Sequence, residues 1–188
     1  MKVRHSVSSA ILSASLLISV LTAGSYVFAA EEKGSSDNLR FTGQLVAQPC
    51  IVASGNESME VNFHSVFKKT LYKQGRSSSQ SFKVLLSECD LSLGKTVRVS
   101  FDGRRSLALP GLLALNMDSA ASGIAIGIET ADGTPIPLGE KTSSYPLKEG
   151  GNEIDFKAYI QAEPDAISKE NITVGLFNAT LTFYLDYE

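Results

Sequence analysis

From Phe177 to Tyr187, apolar side chains occupy every second position: Phe177, Ala179, Leu181, Phe183, Leu185 and Tyr187. Asn178, Thr180, Thr182, Tyr184 and Asp186 stand between them. A period of two sends successive side chains to opposite faces, so this run predicts a long half-buried β-strand beginning after Gly175. The pattern recurs along the chain. Leu39, Phe41, Gly43, Leu45 and Ala47 form one run, and Met59, Val61 and Phe63 another. Phe82, Val84 and Leu86 lead into Cys89, and Val97, Val99 and Phe101 end at Asp102-Gly103. Ile124, Ile126 and Ile128 precede an Asp-Gly-Thr-Pro turn, and Ile154, Phe156, Ala158 and Ile160 follow Gly150-Gly151-Asn152. Nearly every run is bounded by Gly, Asp, Asn or Pro. With 188 residues, this is the pattern of one all-β domain, an antiparallel sandwich of six or seven core strands. Beyond the N-terminal leader no stretch sustains a 3.6-residue period. Short helical turns are expected around Leu109 to Met117 or in Ala162 to Lys169.

The first residues read as a secretory signal: Lys2 and Arg4, then an apolar stretch from Ala10 to about Ala23. Cleavage is expected after Ala29 or Ala30. An uncleaved anchor is the alternative, because the apolar stretch is nearly long enough to span a bilayer; the serines, the glycine and the Ala-Ala-Glu-Glu exit favour cleavage. Removing the leader leaves 15 of the 17 Lys and Arg against 20 Asp and Glu, a formal charge of −5. No basic field remains to gather nucleic acid. Cys50 and Cys89 are the two cysteines. In an exported chain an even count predicts a disulfide, here closing a loop of about 40 residues. A metal site would need further ligands.

Catalytic chemistry finds little support. His64 is the one histidine outside the leader and falls on the outward side of the Met59/Val61/Phe63 run. No nucleophile elbow, phosphate-binding glycine loop or zinc-protease motif is present. The neighbouring acids Glu88/Asp90 and Asp186/Glu188 are expected at the surface rather than across a cleft. We expect no enzyme activity, cofactor, metal or small-molecule substrate.

Burying a Leu- or Phe-sized side chain contributes roughly 1.5–3 kcal/mol, so the terminal run must belong to the core. The sequence ends at Glu188, directly after it. If the other runs account for the sandwich, the place beside this strand is empty. A long apolar edge is tolerable only when another polypeptide fills it.

At this point the sequence resembles a family, the pilin subunits of the chaperone–usher pathway that build type 1 and P-type fimbriae. The markers are Phe41-Thr-Gly43, Val46-Ala-Gln-Pro-Cys50, the Phe82-to-Cys89 run, Gly123-Ile-Ala-Ile-Gly-Ile-Glu with its Asp-Gly-Thr-Pro turn, Gly175, and the penultimate Tyr187. The resemblance implies an incomplete immunoglobulin-like β-sandwich lacking its last strand, with Cys50–Cys89 as the family disulfide. It implies partners as well: a periplasmic chaperone, an outer-membrane usher and neighbouring subunits, each engaged by strand donation. Gly175, Phe177, Ala179, Leu181, Phe183, Leu185 and Tyr187 would form the accepting groove. Residues 30–42 would be the donor extension, with Leu39 and Phe41 as anchors, and 43–188 the pilin domain. Asp37 departs from the pattern, since family donors present a small residue near its place. Phe67-Lys-Lys, Gly75-Arg-Ser-Ser and Gln161-Ala-Glu-Pro-Asp-Ala resemble minor or adapter subunits. Export through the periplasm to a surface fimbrium is the implied route. The alternative is a self-sufficient secreted sandwich acting as a carbohydrate-binding or adhesive module.

Overall fold

The computed structural model describes residues 39–188. The expected leader, and Asp37 with the rest of Glu31 to Asn38, lie outside the described residues. The chain divides into two compact units, Met1–Gly43 and Gln44–Glu188. Of the first, the described residues Leu39 to Gly43 form neither helix nor strand.

The second unit runs β1 (Ile51–Val52), α1 (Lys68–Gln74), β2 (Gln80–Cys89), β3 (Thr96–Gly103), β4 (Leu113–Ala114), β5 (Ile124–Thr130), β6 (Pro135–Ile136), β7 (Tyr145–Pro146), β8 (Gly150–Ala162), α2 (Pro164–Ser168) and β9 (Leu181–Tyr187). One sheet has the order β1-β2-β8-β5-β4 with β6 beside β5; the other has the order β7-β3-β9. Every strand pairing is antiparallel. The alternating runs explain the layering. Val84 and Leu86 of β2 and Ile154, Phe156 and Ile160 of β8 turn inward to meet Val97, Val99 and Phe101 of β3, all buried. Phe101 stands edge-on to Phe156 at 5.1 Å between ring centres and to Phe82 at 6.1 Å, an arrangement that adds quadrupole attraction to apolar burial across the sheets.

Both faces of β5 are covered, so its burial does not alternate. On the outer face Tyr159 lies across Gly127, where a Cβ would stand 2.2 Å from the ring. The Arg76 guanidinium stacks on that ring at 3.6 Å and binds the buried Glu129 carboxylate at 3.0 Å. Ser79 Oγ donates to the same carboxylate at 2.6 Å, so the buried charge has both a counterion and a hydrogen-bond donor.

Several expectations are corrected. The run Leu39 to Ala47 is not a strand; Leu45 is fully exposed at 100%. Met59, Val61 and Phe63 keep their inward alternation but lie in an extended segment outside any strand, because no neighbour pairs with it among the described residues. His64 is exposed, as its position suggested, though with a positive φ of 52° rather than strand geometry. Helix α2 falls inside Ala162 to Lys169, whereas Leu109 to Met117 contains a turn and β4. Helix α1 was not expected: of its residues Leu71 alone is buried, which leaves no apolar stripe to read. It stops at Gly75, whose φ of 75° is the left-handed turn that glycine accepts without strain. The terminal strand begins at Leu181, not after Gly175. Before it, the Asn178 and Leu176 carbonyls accept the N–H groups of Asn116 and Ala120, each at 2.8 Å, so this stretch is held by a loop rather than by β3.

Candidate functional site

The half of the sandwich beside β9 is unfinished. On β3, Val97, Val99 and Phe101 are 0% exposed, yet their partners across the ladder, Tyr187, Leu185 and Phe183, are all only partly buried. Two strands of one sheet with the same inward face should bury alike if a third strand covered β9. Among the described residues, β9 pairs with β3 alone.

The backbone shows the same open edge. Glu188 and Thr96 exchange two hydrogen bonds of 3.0 Å, and Arg98, Ser100 and Asp102 stand opposite Asp186, Tyr184 and Thr182. In an antiparallel ladder, bonded and non-bonded pairs alternate. The even-numbered residues of β9 therefore direct their N–H and C=O groups to β3. Leu181, Phe183 and Leu185 direct theirs to the open edge, and their side chains line the opening beneath it.

That opening is an apolar groove in two joined parts. A recess of about 550 Å³ has one wall of Met59, Val61 and Phe63 and a facing wall of Phe177, Ala179, Leu181 and Phe183. Its floor is core: Phe82, Leu113, Ile126, Ile128 and Ala158 from the larger sheet. A recess of about 470 Å³ continues between Gln48, Cys50 and Val52 on one side and Leu181 to Leu185 and Tyr187 on the other. Glu57, Leu181 and Phe183 border both. The walls touch at the two ends. Phe63 and Phe177 lie 6.2 Å apart between ring centres, and Tyr187 Oη donates to the Cys50 carbonyl at 3.4 Å. Burial pushes the Tyr187 hydroxyl pKa above its usual value. Cys50 is itself fixed by its disulfide to Cys89, with Cα atoms 4.1 Å apart and both residues buried. The groove is thus pinned at each end and open between.

Six of the residues expected for the groove line it: Phe177, Ala179, Leu181, Phe183, Leu185 and Tyr187. Gly175 does not. It packs on the 116–121 loop, where a Cβ would lie 2.7 Å from the Ala120 Cβ. Leu39 and Phe41 are exposed. Sequence reasoning missed the facing wall and the floor. Met59, Val61 and Phe63 carried a signal, an alternation as regular as any other, but nothing in the chain says that such a run lies opposite another across a gap.

The other polar features have local roles. Asp186 pairs with Lys141 at 3.0 Å and Glu188 with Arg98 at 3.3 Å. A further recess of about 610 Å³ lies between Thr130 and Asp155, lined by Asp132 and Glu153 among others. Asp132 Oδ2 accepts the Thr134 hydroxyl at 3.2 Å and Glu153 pairs with Lys83, so these carboxylates are already partnered. Bonds from Thr130 and then from the Thr134 backbone hold the Asp132 pKa below its usual range. No group of three His, Cys, Asp or Glu placed to hold a metal occurs among the described residues.

Comparison with known proteins agrees with this geometry. The model of the Fimbrial protein family matches residues 39–188. The chain is 32% identical over 170 residues to the uncharacterized fimbrial-like protein YfcP of Escherichia coli K12, covering 89% of this chain and 90% of that one. It is 31% identical over 182 residues to the fimbrial adapter PapK of Escherichia coli, covering 92% and 95%. The crystal structure of the P pilus rod subunit PapA superposes with a TM-score of 0.65 at 22% identity, covering 75% of this chain and all of that one, a likeness of fold. The chain belongs to the fimbrial protein family and is a structural subunit of a fimbrium.

Proposed function

We propose that the groove beside β9 is a strand-acceptor site. A periplasmic chaperone fills it first; at an outer-membrane usher, the N-terminal segment of a neighbouring subunit then replaces the chaperone strand. The observation that carries this reading is the coincidence of an apolar groove with an unpaired backbone edge. Leu181, Phe183 and Leu185 offer N–H and C=O groups above the same opening that their side chains line. β-augmentation uses both at once: main-chain hydrogen bonds hold the added strand, and pockets for alternate side chains select it. In this reading residues 1–29 are a cleaved leader, residues 30–42 form the donor, and the chain passes through the periplasm to the fimbrium. The likeness to PapK supports a minor or adapter place in the fibre.

Residues 30–188, refolded without a partner, should aggregate or stay loosely packed. A peptide of five alternating apolar residues should convert them to a soluble monomer with a cooperative transition. A stable, cooperative monomer formed without any peptide would sink the proposal and favour a self-sufficient module.

A further inference from the structure

We infer that the recess beside α1, flanked by Lys69 and Lys73, binds an acidic saccharide: a sugar ring enters the recess and its sulfate or carboxylate meets the two lysines. The recess shares Phe63 alone with the groove beside β9, and the inference does not rest on the strand-acceptor reading.

Charge is the first ground. Between Glu60 and Glu88 the chain contains no Asp or Glu, yet it carries Lys68, Lys69, Lys73, Arg76 and Lys83. This is a local excess of positive charge in a chain whose overall balance is acidic. Arg76 pairs with Glu129, and Lys83 with Glu153 and Asp155. Lys68, Lys69 and Lys73 belong to no ion pair among the described residues. The helix meets the chain near Ile172, whose N–H donates to Tyr72 Oη at 3.1 Å. Of the acids close in sequence to that contact, Asp165 pairs with Lys169, and neither Glu163 nor Glu170 pairs with a lysine of α1. At 3.6 residues per turn, Lys69 and Lys73 each stand about 160° round the helix from the buried Leu71. They are neighbours on the solvent side, a like-charge pair at i and i+4 that disfavours the helix until an anion offsets it.

The recess is the second ground. Its volume of about 230 Å³ lies below the roughly 300–1,000 Å³ of sites for drug-sized ligands, so it admits a single ring. No carboxylate lines it. Thr70 of α1 does, and Lys73 follows Thr70 by three residues on the same row of the helix surface. Ser77 Oγ is already engaged, donating to the Ser78 carbonyl at 2.8 Å and accepting the Ile160 N–H at 3.0 Å. The side chains of His64, Ser65, Thr70, Ser78 and Gln80, which also line the recess, make no hydrogen bond among the described residues. Phe67 completes the lining and is 71% exposed, so its ring offers an apolar face beside these polar groups. A saccharide presents both counterparts, a C–H face for the ring and hydroxyls for the hydroxyl, amide and imidazole groups. A fatty acyl chain would need an apolar channel, and an acidic peptide would need the lysines alone.

The test is titration calorimetry on residues 30–188, with the alternating apolar peptide present where solubility requires it. The probes are a heparin hexasaccharide, neutral maltohexaose and poly-glutamate. We expect the heparin fragment to bind, more weakly as salt rises, and maltohexaose to bind at least tenfold less tightly. K69A/K73A should weaken heparin binding by about tenfold. T70V/S78A should weaken it by about fivefold and leave poly-glutamate binding unchanged. No binding of the heparin fragment would overturn the inference, and so would maltohexaose binding as tightly. Poly-glutamate binding as tightly as heparin, with T70V/S78A without effect on either, would reduce the site to a charged surface for an acidic protein and overturn it as well.

Discussion

Replacing Phe183 by Ala should divide its cost between folding and occupancy, whereas replacing its cross-strand partner Phe101 should not. The two residues stand directly opposite in the β3–β9 ladder. Phe101 is 0% exposed and packs on Phe82 and Phe156; Phe183 is partly exposed and lines the groove. Truncating a fully buried Phe costs about 3–5 kcal/mol. Phe101→Ala should lose that amount in folding and change donor affinity little. For Phe183→Ala about two-thirds or more, roughly 2–3.5 kcal/mol, should appear in folding, since most of the residue is buried even without an occupant. The remainder, at most about 1–1.7 kcal/mol, should appear when a strand covers the ring, weakening its binding by up to about 5- to 17-fold at 1.4 kcal/mol per tenfold. The assay is fluorescence anisotropy with a labelled alternating apolar peptide, alongside thermal unfolding of each peptide-bound variant, whose loss of stability less the loss in peptide affinity gives the folding share. If Phe183→Ala destabilises the fold as much as Phe101→Ala and leaves peptide affinity within about twofold, the reasoning from unequal burial is refuted.

Two other perturbations have defined outcomes. Reducing Cys50–Cys89, or replacing both by Ser, opens a loop with a sequence separation of 39. The chain-entropy model assigns it about 4 kcal/mol. At about 2–4 °C per kcal/mol for a domain of this size, circular dichroism of the peptide-bound chain should record a fall in Tm of about 8–16 °C on reduction, and an unchanged Tm would contradict it. The hydroxyls of Tyr145, Tyr159 and Tyr187 are all pushed by burial above the ordinary tyrosine value of 10.0. The folded state therefore holds protons that the unfolded state releases. Their contribution is fully present below pH 10.0 and is lost as pH rises through the folded values. Urea midpoints of the peptide-bound chain should fall between pH 9.5 and about 11, and Tyr187→Phe should make that fall shallower; a flat profile across the range would exclude the effect.

The strands that bury a face against the opposite sheet were legible because their period of two directly reflects that burial. Phe82 to Leu86, Val97 to Phe101 and Ile154 to Ile160 all fall in β2, β3 and β8 as their alternation predicts. Where alternation misled, backbone pairing was the missing quantity. Leu39 to Ala47 and Met59 to Phe63 have the side-chain pattern of strands but no partner among the described residues to complete a ladder, and a side-chain period carries no record of a neighbour. Helix α1 was invisible for a different reason: its exposed, largely polar turns meet the sheet through Leu71.

For the site, one wall was written in the chain. The run Phe177 to Tyr187 specified both the residues and the face they present, because a one-residue shift would expose every apolar side chain in it. By itself the sequence determined the all-β class, the two cysteines available to pair, and an apolar terminal strand that needs covering. The tertiary structure decided what no local pattern can express. Met59, Val61 and Phe63 form the opposite wall, Gly175 lies outside the groove, and Glu57 stands where its two parts meet. These facts depend on contacts between residues from about fifty to more than a hundred positions apart, and such contacts exist only once two sheets have packed and left one edge open.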